Sequence, residues 1–293
     1  MSEDGSRSRL HALLALMVFV WSVNFVVAKI ALREFPPLML GALRFSLGGL
    51  FILPVYLWSK RGAPGLNLLS SWKVIGIGVL GVGFNQFLFL LGLVRTTVAH
   101  AAIVLAMTPV MVLLLSAWVG HERITGRKLT GLALALSGVA VLQGRALLGG
   151  HGSMAGDLFV LLAGLTFAIY TVAGKEIRHR YDGLTMTTLA YVGSTAILSP
   201  VTLWLAAHFD FGRVSWIGWA SVFYMAVFPS VVAYLIFYHA LRYMPSSQVS
   251  RLAYLQPFFA TALAVPLLGE KITSSLVAGG ALVLAGVFWA ERP

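Results

Sequence analysis

The side chains able to do chemistry within this chain are few, and inside its apolar runs they are amides and phenols rather than acids. Asn24, Asn85, Gln86 and Gln256 sit in such runs, as do Trp21, Tyr170, Tyr234 and Tyr238. A buried carboxamide is unfavourable until it is paired, so each needs either a neighbouring helix or a ligand. Interhelical bonding satisfies any one of them as well as a ligand would. Together they match the make-up of a small-molecule site, with aromatic walls and a few polar anchors.

Cations inside apolar runs are rarer still: Lys29, Arg44, Lys175 and Arg251. Lys29 and Lys175 fall close to the ends of their runs, where a lysine either snorkels to the interface or serves a gate. Arg44 lies a few residues inside its run, placed to pair with helix-end carbonyls or to tie down a neighbouring segment. Arg251 shares a face with Tyr254, and a regular helix puts that face about 140° away from Gln256. His239 closes the preceding run. Lys29 or Arg251 is the expected anchor for an anion.

No Asp or Glu falls deep in any run, and there is no cysteine. Proton or sodium coupling through a buried carboxylate is therefore not expected, which leaves histidine, exchange or uniport. The same absence removes the acid pairs of an aspartyl enzyme and every thiolate site. No H-E-x-x-H metal motif and no Walker-type phosphate loop occurs. The chain reads as a non-enzyme without a cofactor.

Proline supplies the clearest physics. Pro109 and Pro257 lie near the middle of two apolar runs, where each removes a backbone donor and frees the carbonyl four residues earlier. Pro229 interrupts a third run. Freed backbone in hydrocarbon needs a partner or a water-lined cavity, so these prolines mark hinge or cavity positions.

The elements that must hold these groups are membrane spans. Of 293 residues 59% are hydrophobic and 11% charged, too little charge to cover a water-soluble particle. Ten apolar runs of about 20 residues are expected, at 10–32, 38–58, 72–93, 98–119, 127–147, 156–178, 184–206, 216–241, 246–268 and 274–290. Connections are short, so the site must lie among the helices. Net charge is +11, but the Lys and Arg cluster in connections and show no basic stripe interleaved with aromatics. A lipid bilayer is the expected partner and nucleic acid is not. Thirteen basic residues fall on the face holding both termini and five on the other, which puts both termini in the cytoplasm.

The runs form two series. An offset of 146 pairs Trp21–Lys29 with Phe167–Lys175, and Pro54 with Pro200. An offset of 148 pairs Pro109 with Pro257, Glu122-Arg123-Ile124-Thr125 with Glu270-Lys271-Ile272-Thr273, and Gly131 and Gly138 with Gly279 and Gly286. Five runs per unit is an odd number, so the second unit enters the membrane upside down. The expected architecture is all-α and integral to the membrane: ten helices as two inverted five-helix repeats, 10–147 and 156–291. That plan recurs in secondary transporters, where the repeats exchange conformations around a site at mid-bilayer. Asn24 and Tyr170, repeat partners, are expected to approach this site from opposite sides. The fifth and tenth runs are rich in small residues and read as scaffold, with a homodimer contact as the alternative.

The ordered set Trp21-Ser22-Val23-Asn24-Phe25 with Lys29, Pro37, Ala42-Leu43-Arg44-Phe45, Pro109 to Glu122, Gly131 to Gly138 and the Pro257–Glu270 copy resembles the EamA family of the drug/metabolite transporter superfamily. The similarity covers about 11–145 and 156–290. It implies a ten-helix inner-membrane carrier of small metabolites, often an exporter of amino acids or related compounds. Ala190 stands in the second unit where the first has Arg44, so the halves are not equivalent there. A ligand-binding receptor or scaffold, or an exporter of hydrophobic drugs, is the competing expectation.

Overall fold

The computed structural model describes residues 3–61, 71–120, 125–144, 154–177, 181–243 and 255–291. All regular structure among them is helical. In chain order the helices are α1 (Glu3–Ala31), α2 (Pro37–Ser59), α3 (Trp72–Gly78), α4 (Asn85–Leu93), α5 (Val98–Leu105), α6 (Thr108–Trp118), α7 (Gly126–Gly144), α8 (Met154–Ile177), α9 (Gly183–Ala207), α10 (Trp216–Val227), α11 (Ala233–Tyr243), α12 (Gln256–Leu268) and α13 (Ser274–Glu291).

Seven continuous or jointed segments are long and apolar enough to cross a membrane: Arg9–Ala31, Pro37–Ser59, Trp72–Leu93, Val98–Trp118, Met154–Gly174, Gly183–Ala207 and Trp216–Phe237. α12 and α13 are apolar but shorter. α7 falls outside the seven because Arg127 and Lys128 open its 19 residues.

Short side chains start the helices where the loops turn. Thr97, Asp182 and Ser215 each accept a hydrogen bond from the amide three residues on, which fixes the first turns of α5, α9 and α10. Gly269 ends α12 in the left-handed conformation, φ 69°, a C-terminal cap that a side chain would strain.

Three breaks interrupt the spans. The run 98–119, expected as one kinked helix, is two: α5 stops at Leu105, a turn covers Ala106 and Met107, and α6 restarts at Thr108. Pro109 is the cause, and Thr108 Oγ donates to the freed Leu105 carbonyl at 2.6 Å. The other two breaks are wide π-helical turns, Val79–Phe84 between α3 and α4 and Phe228–Val232 between α10 and α11. They correspond under the 148-residue offset. Pro229 accounts for the second. In the first, Gly81 lets the backbone lie directly against the Tyr170 ring, where a Cβ would collide.

The π turn in the eighth run changes which residues share a face. An unbroken helix would put Tyr224, Val227, Val231, Tyr234 and Tyr238 on one side, but the π turn shifts the register between the first two and the rest. Tyr224 stacks on the exposed Phe228 and donates to Val20 O at 3.0 Å. Tyr234 is buried with Tyr191 and Tyr170.

α7 and α13 cross antiparallel with glycine on glycine. A Cβ on Gly131 would come within 2.6 Å of Gly286 O, and one on Gly138 within 2.7 Å of Gly279 O. The remaining helices pack around a core that includes Phe25, Leu40, Phe89, Leu93, Val104 and Met225.

Candidate functional site

A cavity opens where α1, α2, α4, the α5–α6 joint, α8, α11 and α12 converge. It holds about 140 Å³ of space open to water. That is room for roughly ten waters, or roughly 300 Å³ of liquid, at the small end of ligand sites. Its walls are mainly apolar and aromatic, with Phe25, Phe89, Phe167, Tyr234 and Phe237 among them.

The sequence placed Trp21, Asn24, Asn85, Gln86, Tyr234, Gln256 and Pro109 in or beside a binding site, and all seven line this cavity. Trp21 stands edge-on to Tyr234 with centroids 5.9 Å apart, and its Nε1 donates to the Pro229 carbonyl at 3.3 Å. The proline break thus supplies the acceptor that fixes the indole. Asn85 is committed to packing, donating to Ala163 O at 2.6 Å. Gln86 donates to Asn85 Oδ1 at 3.3 Å.

Asn24 and Gln256 are different. Asn24 is 7% exposed and its Oδ1 is buried without a hydrogen-bond partner. Gln256 is 9% exposed and also faces the cavity.

Other expected residues are elsewhere. Tyr170 is buried against Gly81 and in the cluster with Tyr234, and Phe167 and Thr171 represent α8 in the cavity instead. The convergence of Asn24 and Tyr170 on one hollow is therefore corrected: a ring one turn away takes the phenol's place. His239 is exposed and packs on Tyr243, off the cavity. Pro229 and Pro257 are buried beside it without lining it. Arg251 and Tyr254 lie outside the described residues, and Lys175 and Tyr238 are described in backbone only.

Lys29 does not face the cavity as an anion anchor. Its Nζ donates to Leu93 O at 2.5 Å and Thr96 O at 2.6 Å, binding the end of α1 to the carbonyls that close α4. Further polar bonds gather at this end. Thr96 Oγ donates to Asp157 at 2.6 Å, and Asp157 also meets His100 at 3.2 Å. Glu270, delivered by the Gly269 turn, accepts from the first-turn amides of α5, Val98 N at 2.6 Å and Ala99 N at 3.1 Å. Glu34 accepts from Ser215 N and Oγ at 2.6 and 2.7 Å, and these bonds hold its carboxyl below the usual range. Phe25 stands edge-on to Phe89 in the cavity wall, and these ties hold α1, α5 and α8 together at the Lys29 end.

Among the described residues the cation in the cavity wall is Arg44, 1% exposed. Its Nε donates to Ser230 Oγ at 2.9 Å and its Nη1 to Gln86 Oε1 at 2.7 Å. It ties two neighbouring segments to α2, one of the roles its position offered. Its place in the cavity was not foreseen. The available signal was that it is an intramembrane cation with no acid near it in any span. Ala190, its counterpart, is fully buried, and a Cβ on Gly78 would meet it at 2.7 Å. The second half has no room for the same side chain.

The EamA-like transporter family matches residues 9–143 and again 154–291. A protein named as an uncharacterized transporter from Archaeoglobus fulgidus is 30% identical, covering 96% of each chain. A probable amino-acid metabolite efflux pump of Salmonella typhimurium is 32% identical over 96% of this chain and 94% of its own. A solved crystal structure superposes with TM-score 0.65 over 97% of this chain and 96% of that one, at 21% identity, a likeness of fold. A multi-pass helical protein enclosing a small-molecule cavity is what such relatives lead one to expect, and the chain belongs to the EamA-like transporter family.

Proposed function

We propose that this chain is a secondary carrier that exports amino acids or related small metabolites by alternating access. The observation carrying this reading is the cavity itself: aromatic walls, two uncommitted amides and one guanidinium, set among the spans beside the bonded cluster at the Lys29 end. Efflux is the activity in the name of the Salmonella relative, and the cavity fits a molecule of amino-acid size.

In this reading the ten helices are two inverted repeats, 10–147 and 156–291, in a bacterial inner membrane with both termini cytoplasmic. Opposed chain direction supports it. Thr96 meets Lys29 near the end of α1 and Asp157 near the start of α8, so the first helices of the two units run antiparallel. Trp21, Asn24, Gln86, Tyr234 and Gln256 contact substrate. The breaks at Pro109 and Pro229 let the cavity walls tilt, since neither joint carries a continuous α-helical ladder. In this reading the bonds at the Lys29 end close the non-cytoplasmic side, and this conformation faces the cytoplasm, ready to load an exported solute.

Purified protein in proteoliposomes tests the carrier reading. Uptake of a radiolabelled amino acid should saturate and should accelerate when the vesicle interior is preloaded with the same solute. A solute that binds but shows neither flux nor counterflow would make the protein a receptor.

A further inference from the structure

Arg44 is a buried charge with no counter-ion among the described residues. A guanidinium does not lose its proton in a protein, so it cannot escape burial by becoming neutral. Two of its five donors are used, and both acceptors, Ser230 Oγ and Gln86 Oε1, are uncharged. The neighbouring Tyr191 offers a phenol and no carboxylate. The chain has ten acidic residues, and the described carboxylates are engaged at helix ends: Glu34 with Ser215, Asp157 with Thr96, Asp182 with Lys60, Asp210 with Arg213, Glu270 with α5. The other five lie by sequence in the N-terminal tail, in the 121–124 connection or at the ends of α8 and α13. An uncompensated cation in hydrocarbon is unfavourable and persists where function uses it.

The charge borders a cavity that also holds the unpartnered Asn24 Oδ1, an acceptor more than nine-tenths buried. Among the described residues, no other one lining the cavity is charged. The geometry points to Arg44 as the counter-charge for a substrate carboxylate, with Asn24 Oδ1 accepting from that substrate's nitrogen. The inference rests on the carrier reading and narrows it: the cavity takes substrates bearing a single carboxylate, amino acids among them, and rejects the same skeletons without the acid. A second carboxylate would bring a negative charge that no other described wall residue balances, and an amine lacking the acid would add to the positive one.

A fork of N–H donors suits a carboxylate better than a point charge does. Arg44→Lys should therefore keep weak binding, whereas Arg44→Gln should lose it.

The test uses purified full-length protein in nanodiscs. A panel of the natural amino acids and simple monocarboxylates, including 3-phenylpropionate, is screened by ligand-induced thermal stabilisation. For the best binder, affinity is compared with that of its primary amide and its decarboxylated analogue. Expected is a preference for the acid of about tenfold to a hundredfold, the range of a charge-assisted bond. Arg44→Gln, checked for a monodisperse profile, should lower acid affinity by a similar factor and bind acid and amide alike. If that variant does not fold, the analogue series in the unsubstituted protein decides. Equal binding of acid and amide, an acid preference that survives Arg44→Gln, or no carboxylate binding at all overturns the proposal. Proteoliposome flux of the same compounds separates the two readings. Flux without acid preference removes the Arg44 assignment and leaves the carrier, whereas Arg44-dependent binding without flux removes the carrier and leaves the carboxylate site.

Discussion

Asp182 joins two elements through one carboxylate. It caps α9 by accepting from Thr185 N at 3.0 Å, and it pairs with Lys60 at the end of α2 at 2.8 Å. Burial pushes its pKa up, but the Lys60 contact and the Thr185 bonds outweigh that and hold it below the usual value. With the folded pKa depressed, its stabilisation is complete above the unfolded value of about 4 and fades as pH falls through the lower folded value. Asp182→Ala should cost about 1 kcal/mol through the lost cap, while Asp182→Asn keeps the cap and loses only the ion pair. Thermal melts of both variants at pH 7 and at a pH below the depressed folded value check this: the Asn variant should match the unsubstituted protein at the acid end. Much of the cavity lining was legible at this scale. Trp21, Asn24, Gln86, Tyr234 and Gln256 stood out because polar and aromatic groups are conspicuous in apolar runs. Lys29 misled because nothing in sequence says that the carbonyls of Leu93 and Thr96 lie within its reach. Arg44 was underrated because its acceptors, Ser230 and Gln86, come from distant runs.

Among the elements, breaks caused by proline were readable and breaks caused by packing were not. Pro109 removes a specific donor, so the joint between α5 and α6 follows from chemistry. The π turn at Val79–Phe84 contains no proline and depends on Tyr170 pressing on Gly81, a contact between helices far apart in sequence. The glycines of the fifth and tenth runs announced close helix contact, but not that α7 and α13 cross each other. Gly138→Leu should disrupt it, because a Cβ there already falls within 2.6 Å of Val283 N and overpacking costs about 1–3 kcal/mol or more. Gly76→Leu is the control, since a Cβ there meets nothing within 4 Å. Melting temperatures in one detergent should drop for the first and hold for the second. Equal losses would mean that the crossing carries no special weight.

The inverted arrangement of the whole molecule is open to a clean experiment because the chain contains no cysteine. Arg123→Cys and Lys271→Cys occupy repeat-equivalent connections and leave the Glu270 cap on α5 in place. With a membrane-impermeant maleimide on intact cells, Lys271→Cys should label and Arg123→Cys should label only after permeabilisation. Labelling of both from outside would end the inverted-repeat reading and the alternating mechanism with it. The α7–α13 crossing bears on assembly too. Its glycines are turned toward each other, so the flank of α7 and α13 that remains is bulky, with Leu129, Leu136, Val277 and Phe288 more than half exposed. A second copy arriving there would find knobs without grooves, and acyl chains, which mould to any relief, are the better-fitting neighbours on that side.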